Sequence, residues 1–205
     1  MSTFIEIGAI LVASALAMII HELPKSIVYL LTGRHTQTGD RAGIMKLYRY
    51  IDPVGWILFL TCHAGCSKPY PYRLKEKDTN VAIGLTGLLT LAVMIMGSYA
   101  LFRLEITGLA MNMGWNPDGV LAQFLVQLNW YFIYASMVLL IVNLIPIMSS
   151  DISLLIIAFS PGKLISLLKN DTLIKGILLI SIVFGWISAL ALQGMRGLDY
   201  LFHYI

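Results

Sequence analysis

Four long apolar blocks, at about Thr3 to Thr32, Val81 to Phe102, Leu121 to Ile147 and Leu173 to Leu192, constrain this chain more than any other feature. Each approaches or exceeds the ~20 residues that cross a bilayer as a helix. Only 12% of the 205 residues are charged while 58% are hydrophobic, so the polar surface of a soluble domain cannot be built from them. The blocks predict an all-α polytopic membrane protein of about four transmembrane helices, with residues 1–205 forming one membrane-embedded domain whose first partner is the lipid bilayer. Pro53 to Gly65 and Ile152 to Phe159 are apolar but too short to span, and read as re-entrant, interfacial or buried segments.

Charge gives an orientation. Arg34, Arg41, Lys46, Arg49, Lys68, Arg73, Lys75 and Lys77 lie between the first and second blocks, and Lys163, Lys169 and Lys175 between the third and fourth. The opposite side carries only Arg103 and Arg196, so the positive-inside rule predicts cytoplasmic basic loops with both termini outside. The loops read first as topogenic charge and only second as an anionic-lipid surface, and no nucleic-acid role is needed. The N-terminus lacks a basic start and a small-residue cleavage site, and is expected to stay attached. Two cysteines, Cys62 and Cys66, do not indicate a disulfide framework, and no internal repeat favours a repeat-built transporter. Oligomeric state is not legible.

A charge at membrane depth costs at least about 2.5–3.5 kcal/mol, so each one needs a reason. The first block runs without charge from Ile7 to Ile20 and then reads His21-Glu22-Leu23-Pro24-Lys25. His21 falls about 24 Å along a helix starting near Ile5, toward the side where the third block ends and Asp151 follows. Topology therefore brings His21 and Asp151 to similar depth. His21 and Lys25, four apart, share a helix face, with Glu22 offset by about 100°. This is the spacing of the zinc motif His-Glu-x-x-His with Lys25 in place of the second histidine.

Further segments extend the likeness: Ile51-Asp52-Pro53-Val54-Gly55, Gly65-Cys66-Ser67-Lys68-Pro69-Tyr70-Pro71, and Asn143-Leu144-Ile145-Pro146-Ile147 followed by Asp151. In this order and spacing the chain resembles the site-2 protease family of intramembrane zinc metalloproteases, in particular its short bacterial members. The resemblance implies a site-2-protease-like core with a re-entrant segment carrying an edge strand, a bacterial cytoplasmic membrane, and a place in regulated intramembrane proteolysis. Residue by residue, it implies zinc ligands at His21 and Asp151, a general base at Glu22, and a substrate-holding role for Asn143. The chain departs from the pattern at Lys25, at Met148-Ser149-Ser150 before the aspartate, and at Ile152 after it.

Lys25 weighs against zinc chemistry, because its amine ligates only after losing a proton from a group of pKa near 10.4. The expectation is a zinc-free pseudoprotease in which the Lys25 ammonium pairs with Asp151 or Glu22, and in which a transmembrane protein or peptide is held without cleavage. The alternative is an active intramembrane zinc metalloprotease whose missing ligand is supplied by His63. A purely structural polar cluster, a separate zinc site at Cys62, His63 and Cys66, and a proton or ion path are further readings of the same residues. Asn116-Pro117-Asp118-Gly119 reads as an external turn, the tryptophans as interfacial anchors or packing residues, and Gly84, Gly87 and Gly97 as sites of close helix contact.

Overall fold

The computed structural model describes residues 2–32, 44, 46–69, 76–107 and 119–203. The sequence calls on Arg34, Arg41, Arg73, Lys75, Tyr70, Pro71, Trp115 and Asn116 to Asp118 lie outside them. Among the described residues the architecture is all-helical: α1 (Ser2–Thr32), α2 (Pro53–Cys62), α3 (Lys77–Thr107), α4 (Val120–Asn143), α5 (Asp151–Phe159), α6 (Leu164–Val183) and α7 (Trp186–His203), with short 3-10 turns at Leu47–Tyr50 and Pro161–Lys163. Among the described residues no edge strand of the kind the resemblance implies is present; helix α2 and an irregular return over residues 64–69 occupy that part of the chain.

Three helices, Thr3–Thr32, Lys77–Arg103 and Val120–Asn143, are long and apolar enough to cross a membrane. The fourth expected block behaves differently. It straddles two helices bent by 68° at Phe184 and Gly185, where Gly185 holds a φ of 75°, a left-handed conformation that glycine adopts without steric cost. By length and composition the pair fits one broken span or a re-entrant loop. The third block also stops early, because Pro146 supplies no backbone donor and disfavours a helical Ile145, so α4 ends at Asn143 and the chain turns through Leu144 to Ile147. Pro24 lies within α1 without ending it.

α1, α3 and α4 form the centre of the bundle, and α7 packs on α4. Ala9, Ala13 and Ala17 recur every four residues on α1 and are fully buried, so small side chains let the helices approach closely. The opposite apolar side chains, among them Leu89, Val93 and Leu101 on α3, are exposed. Because hydrocarbon tails are as apolar as leucine, such a surface fits a lipid environment.

Two local devices position the site. Asp52 precedes Pro53 at the start of α2, a favoured helix beginning, and His63 ends the helix in a left-handed conformation with φ 54°. The chain then doubles back. Lys68 N–H donates to the Tyr50 carbonyl at 3.1 Å, and Gly55 and Gly65 lie so close to the opposing backbone of this hairpin that a Cβ on either would overlap it. Trp56 Nε1 reaches the Leu11 carbonyl of α1 at 3.0 Å, while Ser67 on the return reaches Glu22, about 16 Å further along the same helix. The second device is Ser150, whose Oγ accepts from Ser153 N–H at 3.3 Å and caps α5 one residue before Asp151.

Gly84 and Gly87 of α3 face α5. A Cβ on Gly84 would press on the Asp151 carbonyl and Leu155, and one on Gly87 would overlap the Asp151 carboxylate. Gly97 faces open space, so the expected close contact is absent there. Gly87→Ala is therefore expected to destabilise the protein by about 1–3 kcal/mol. Gly97→Ala should be neutral or stabilising by up to about 1 kcal/mol. Thermal unfolding in detergent measures both.

Candidate functional site

α1 carries three of the site's four charged groups and the first turn of α5 the fourth. His21 Nε2 lies 2.8 Å from Asp151 Oδ2, and Lys25 Nζ donates to Asp151 Oδ1 at 2.8 Å. Lys25 Nζ also lies 2.9 Å from Glu22 Oε2, and His21 Nδ1 lies 3.2 Å from Glu22 Oε1. The four groups thus close a ring in which basic and acidic members alternate and each carboxylate oxygen sits beside one nitrogen. All four side chains are at most 1% exposed. The Lys25 to Glu22 edge is a close ion pair without an aligned hydrogen bond, since Glu22 Oε2 has no hydrogen-bond partner.

Each imidazole nitrogen faces a carboxylate oxygen, so both contacts are favourable when both nitrogens carry protons, and the ring then holds two cations and two anions. That balance matters at this depth. An isolated buried ion costs several kcal/mol, whereas alternating partners cancel one another at short range.

Neighbouring elements hold the ring in register. Asp151 is pressed against the two glycines of α3, and its N–H points to Asn143 Oδ1 at 3.4 Å. Asn143 Nδ2 donates to the Leu139 carbonyl at 2.9 Å, so this residue fixes the α4 end to the start of α5. Ser67 Oγ donates to Glu22 Oε1 at 2.6 Å and lies 3.4 Å from His21 Nδ1. The sequence marked Ser67 only as part of a motif; its contact with Glu22, 45 residues away, has no local signal.

The donors as arranged do not fit zinc. A catalytic zinc takes three protein ligands whose lone pairs converge on the metal. Here the His21 imidazole and the Asp151 carboxylate point at each other, and the third position carries an ammonium, which has no lone pair. Among the described residues no group of three His, Cys, Asp or Glu side chains is set to hold a metal. The substitute ligand does not assemble either: His63 is exposed at the far end of α2 and does not join the ring. Cys62 and Cys66 sit at opposite ends of the turn around it, with the Cys62 carbonyl bound by Ser188 Oγ at 2.9 Å and the Cys66 thiol bound to Asp52 Oδ2 at 3.3 Å.

Beside the ring lies a cavity of about 460 Å³ between the α2 hairpin, the α4–α5 turn and α6. Its apolar lining includes Val54, Leu58, Val142, Leu178 and Ile182, and its polar lining includes Lys68, Ser149, Ser150 and Lys175. Ser67 and Asn143 line it and also touch the ring, so they are where cavity and ring meet. α6 forms the outer wall and buries only Leu178 and Ile182. Its Asp171 ties it back, accepting from Met148 N–H at 2.8 Å and pairing with Lys175 at 2.6 Å.

Burial, the adjacent Asp52 charge and the hydrogen bond to it push the Cys66 thiol up to about 12 from its usual 9.0. The raised value stabilises the fold below pH 9, and that contribution is lost as the pH climbs toward 12, where the folded thiol also ionises. At pH 8 Cys66 should alkylate far more slowly than a free thiol, and Asp52→Asn should speed it, as mass spectrometry of iodoacetamide-treated protein will read. Asp151→Asn, which removes the anion that α5 sets between Lys25 and His21, should cost about 3–5 kcal/mol in unfolding experiments. No family model, curated protein or solved structure matches the chain, so the reading of its function rests on the geometry of the ring and the cavity.

Proposed function

We propose that this chain is a site-2-protease-like membrane protein that works without zinc and holds a membrane-embedded partner segment instead of cutting it. The observation that carries this reading is the engagement of Glu22: Oε1 accepts from Ser67 and faces His21, and Oε2 faces Lys25. A general base needs a free oxygen within reach of a water, and a metalloprotease further needs a Lewis acid to activate that water. Neither follows from this ring. The cavity remains available for binding, with apolar walls for side chains and polar groups near Ser67 and Asn143 for a peptide backbone.

In this reading α2 and its return form the re-entrant segment of the membrane core, and the basic loops face the cytoplasm of a bacterial cell. The partner is a transmembrane protein or peptide, locally unwound so that its backbone groups reach the cavity's polar side.

A photo-crosslinking residue at Leu58, inside the cavity, with a control at exposed Val93 on α3, tests the proposal in native membranes. Full-length membrane protein crosslinked from Leu58 and absent from Val93, with the same full-length crosslink from the folded fraction of Glu22→Gln, is the expected result. Crosslinks to lipid alone would remove the binding role. Truncated partner fragments that vanish with Glu22→Gln would instead establish an active protease.

A further inference from the structure

We infer that the partner segment held beside the ring carries an acidic side chain that pairs with Lys68 and, two residues from it, a long apolar side chain that fills the cavity. This inference rests on the reading of the cavity as a site for an unwound membrane segment, and adds what such a segment must present.

The cavity has a charged end. Lys68 directly follows Ser67, which donates to Glu22, and Lys175 is joined through Asp171 to the Met148 N–H of the α4–α5 turn. Both lysines line the cavity, and both belong to its side next to the ring. Their states differ. Lys175 shares its charge with Asp171 at 2.6 Å, whereas Lys68 is exposed and forms no ion pair with another described residue. Asp52 is the acidic member of the lining, and its Oδ2 accepts from the Cys66 thiol at 3.3 Å. Lys68 is thus the charge that an occupant can answer.

Along α6 hydrocarbon replaces charge. Lys175, Leu178, Leu179 and Ile182 all line the cavity, at the i, i+3, i+4 and i+7 spacing of one helix face, and Ile182 lies about 10 Å along the axis from Lys175. An occupant that suits both parts places an anion at the lysines and an apolar group beside Leu178 and Ile182. In an extended segment, side chains two residues apart point the same way and stand about 7 Å apart, which falls within that reach. The hydroxyls and amide of Ser149, Ser150 and Asn143 in the same lining favour a peptide over a lipid, because an acyl chain offers them no hydrogen bond.

The test uses the full-length chain in phosphatidylcholine vesicles, with synthetic leucine–alanine transmembrane peptides as probes. Each peptide is locally unwound by a pair of glycines and carries photo-leucine two residues from an aspartate, an asparagine or a lysine. Mass spectrometry locates the crosslinked residues. The aspartate peptide should crosslink to the cavity about three- to fivefold more than the asparagine peptide, as one partly exposed ion pair allows. Lys68→Glu, a change at an exposed side chain, should keep its melting temperature and reverse the order, so that the lysine peptide crosslinks best. Photo-leucine placed next to the aspartate, on the other side of the extended segment, should lose the cavity crosslink. Equal cavity crosslinking by the aspartate and asparagine peptides, or a folded Lys68→Glu chain without the reversal, would overturn the acidic partner and leave the partner-holding reading in place. No cavity crosslink from any peptide would overturn both. Loss of the aspartate preference alone when phosphatidylglycerol replaces phosphatidylcholine would assign Lys68 to a lipid headgroup and overturn the proposal.

Discussion

The electrostatic ring joining α1 to α5 sets the terms for everything around it. Four ionisable side chains at most 1% exposed are tolerable only as a set, because each carboxylate oxygen has a basic nitrogen beside it at 2.8 to 3.2 Å. The ring also fixes geometry. His21 and Lys25 are a turn apart on α1, so the Asp151 carboxylate that bridges them from α5 must approach at one height and in one orientation, which locks the register of α5 against α1. Apolar packing between smooth helices would not discriminate between registers so sharply, since hydrocarbon contacts are nearly equivalent after a small slide.

The rest of the local architecture follows from bringing Asp151 to that height. α4 must stop at Asn143, the chain must turn tightly through Pro146, and α5 must begin at once, which the Ser150 cap accomplishes. α3 must come within a backbone's distance, which Gly84 and Gly87 permit. The α2 hairpin closes the remaining side by placing Ser67 on Glu22. Three elements from distant parts of the chain thus surround a cluster that α1 alone could not shield.

The parts of this arrangement that were legible in the sequence are those with local or periodic signals. Apolar length marks the three long spans, and the His21-Glu22-x-x-Lys25 spacing together with the third block's end brings the four charged residues to one depth. Hydropathy is blind to a backbone dihedral, so the break at Gly185 was hidden inside an apolar block, and the early end of α4 was masked by the apolar residues Leu144, Ile145 and Ile147 that continue past it. The return over residues 64–69 carries no strand periodicity, and the strand expected there came from resemblance alone. His63 could be judged only by where its helix ended. Ser67 was invisible as a ring contact because a hydroxyl in a loop has too many possible partners for spacing to select one.

The bend at Gly185 leaves the final helices with unequal shares of the core. α7 is packed along α4, with Ala191 and Met195 buried, whereas α6 buries two side chains and is tied by Asp171. Local opening free energies follow buried contacts, so amide exchange should rank α6 well below the α1–α3–α4 centre. The protein is thereby divided into a rigid frame that keeps the charges matched and a softer panel that sets the volume beside them. The size of the cavity is governed by the element least committed to the fold, while the ring beside it is governed by the most committed.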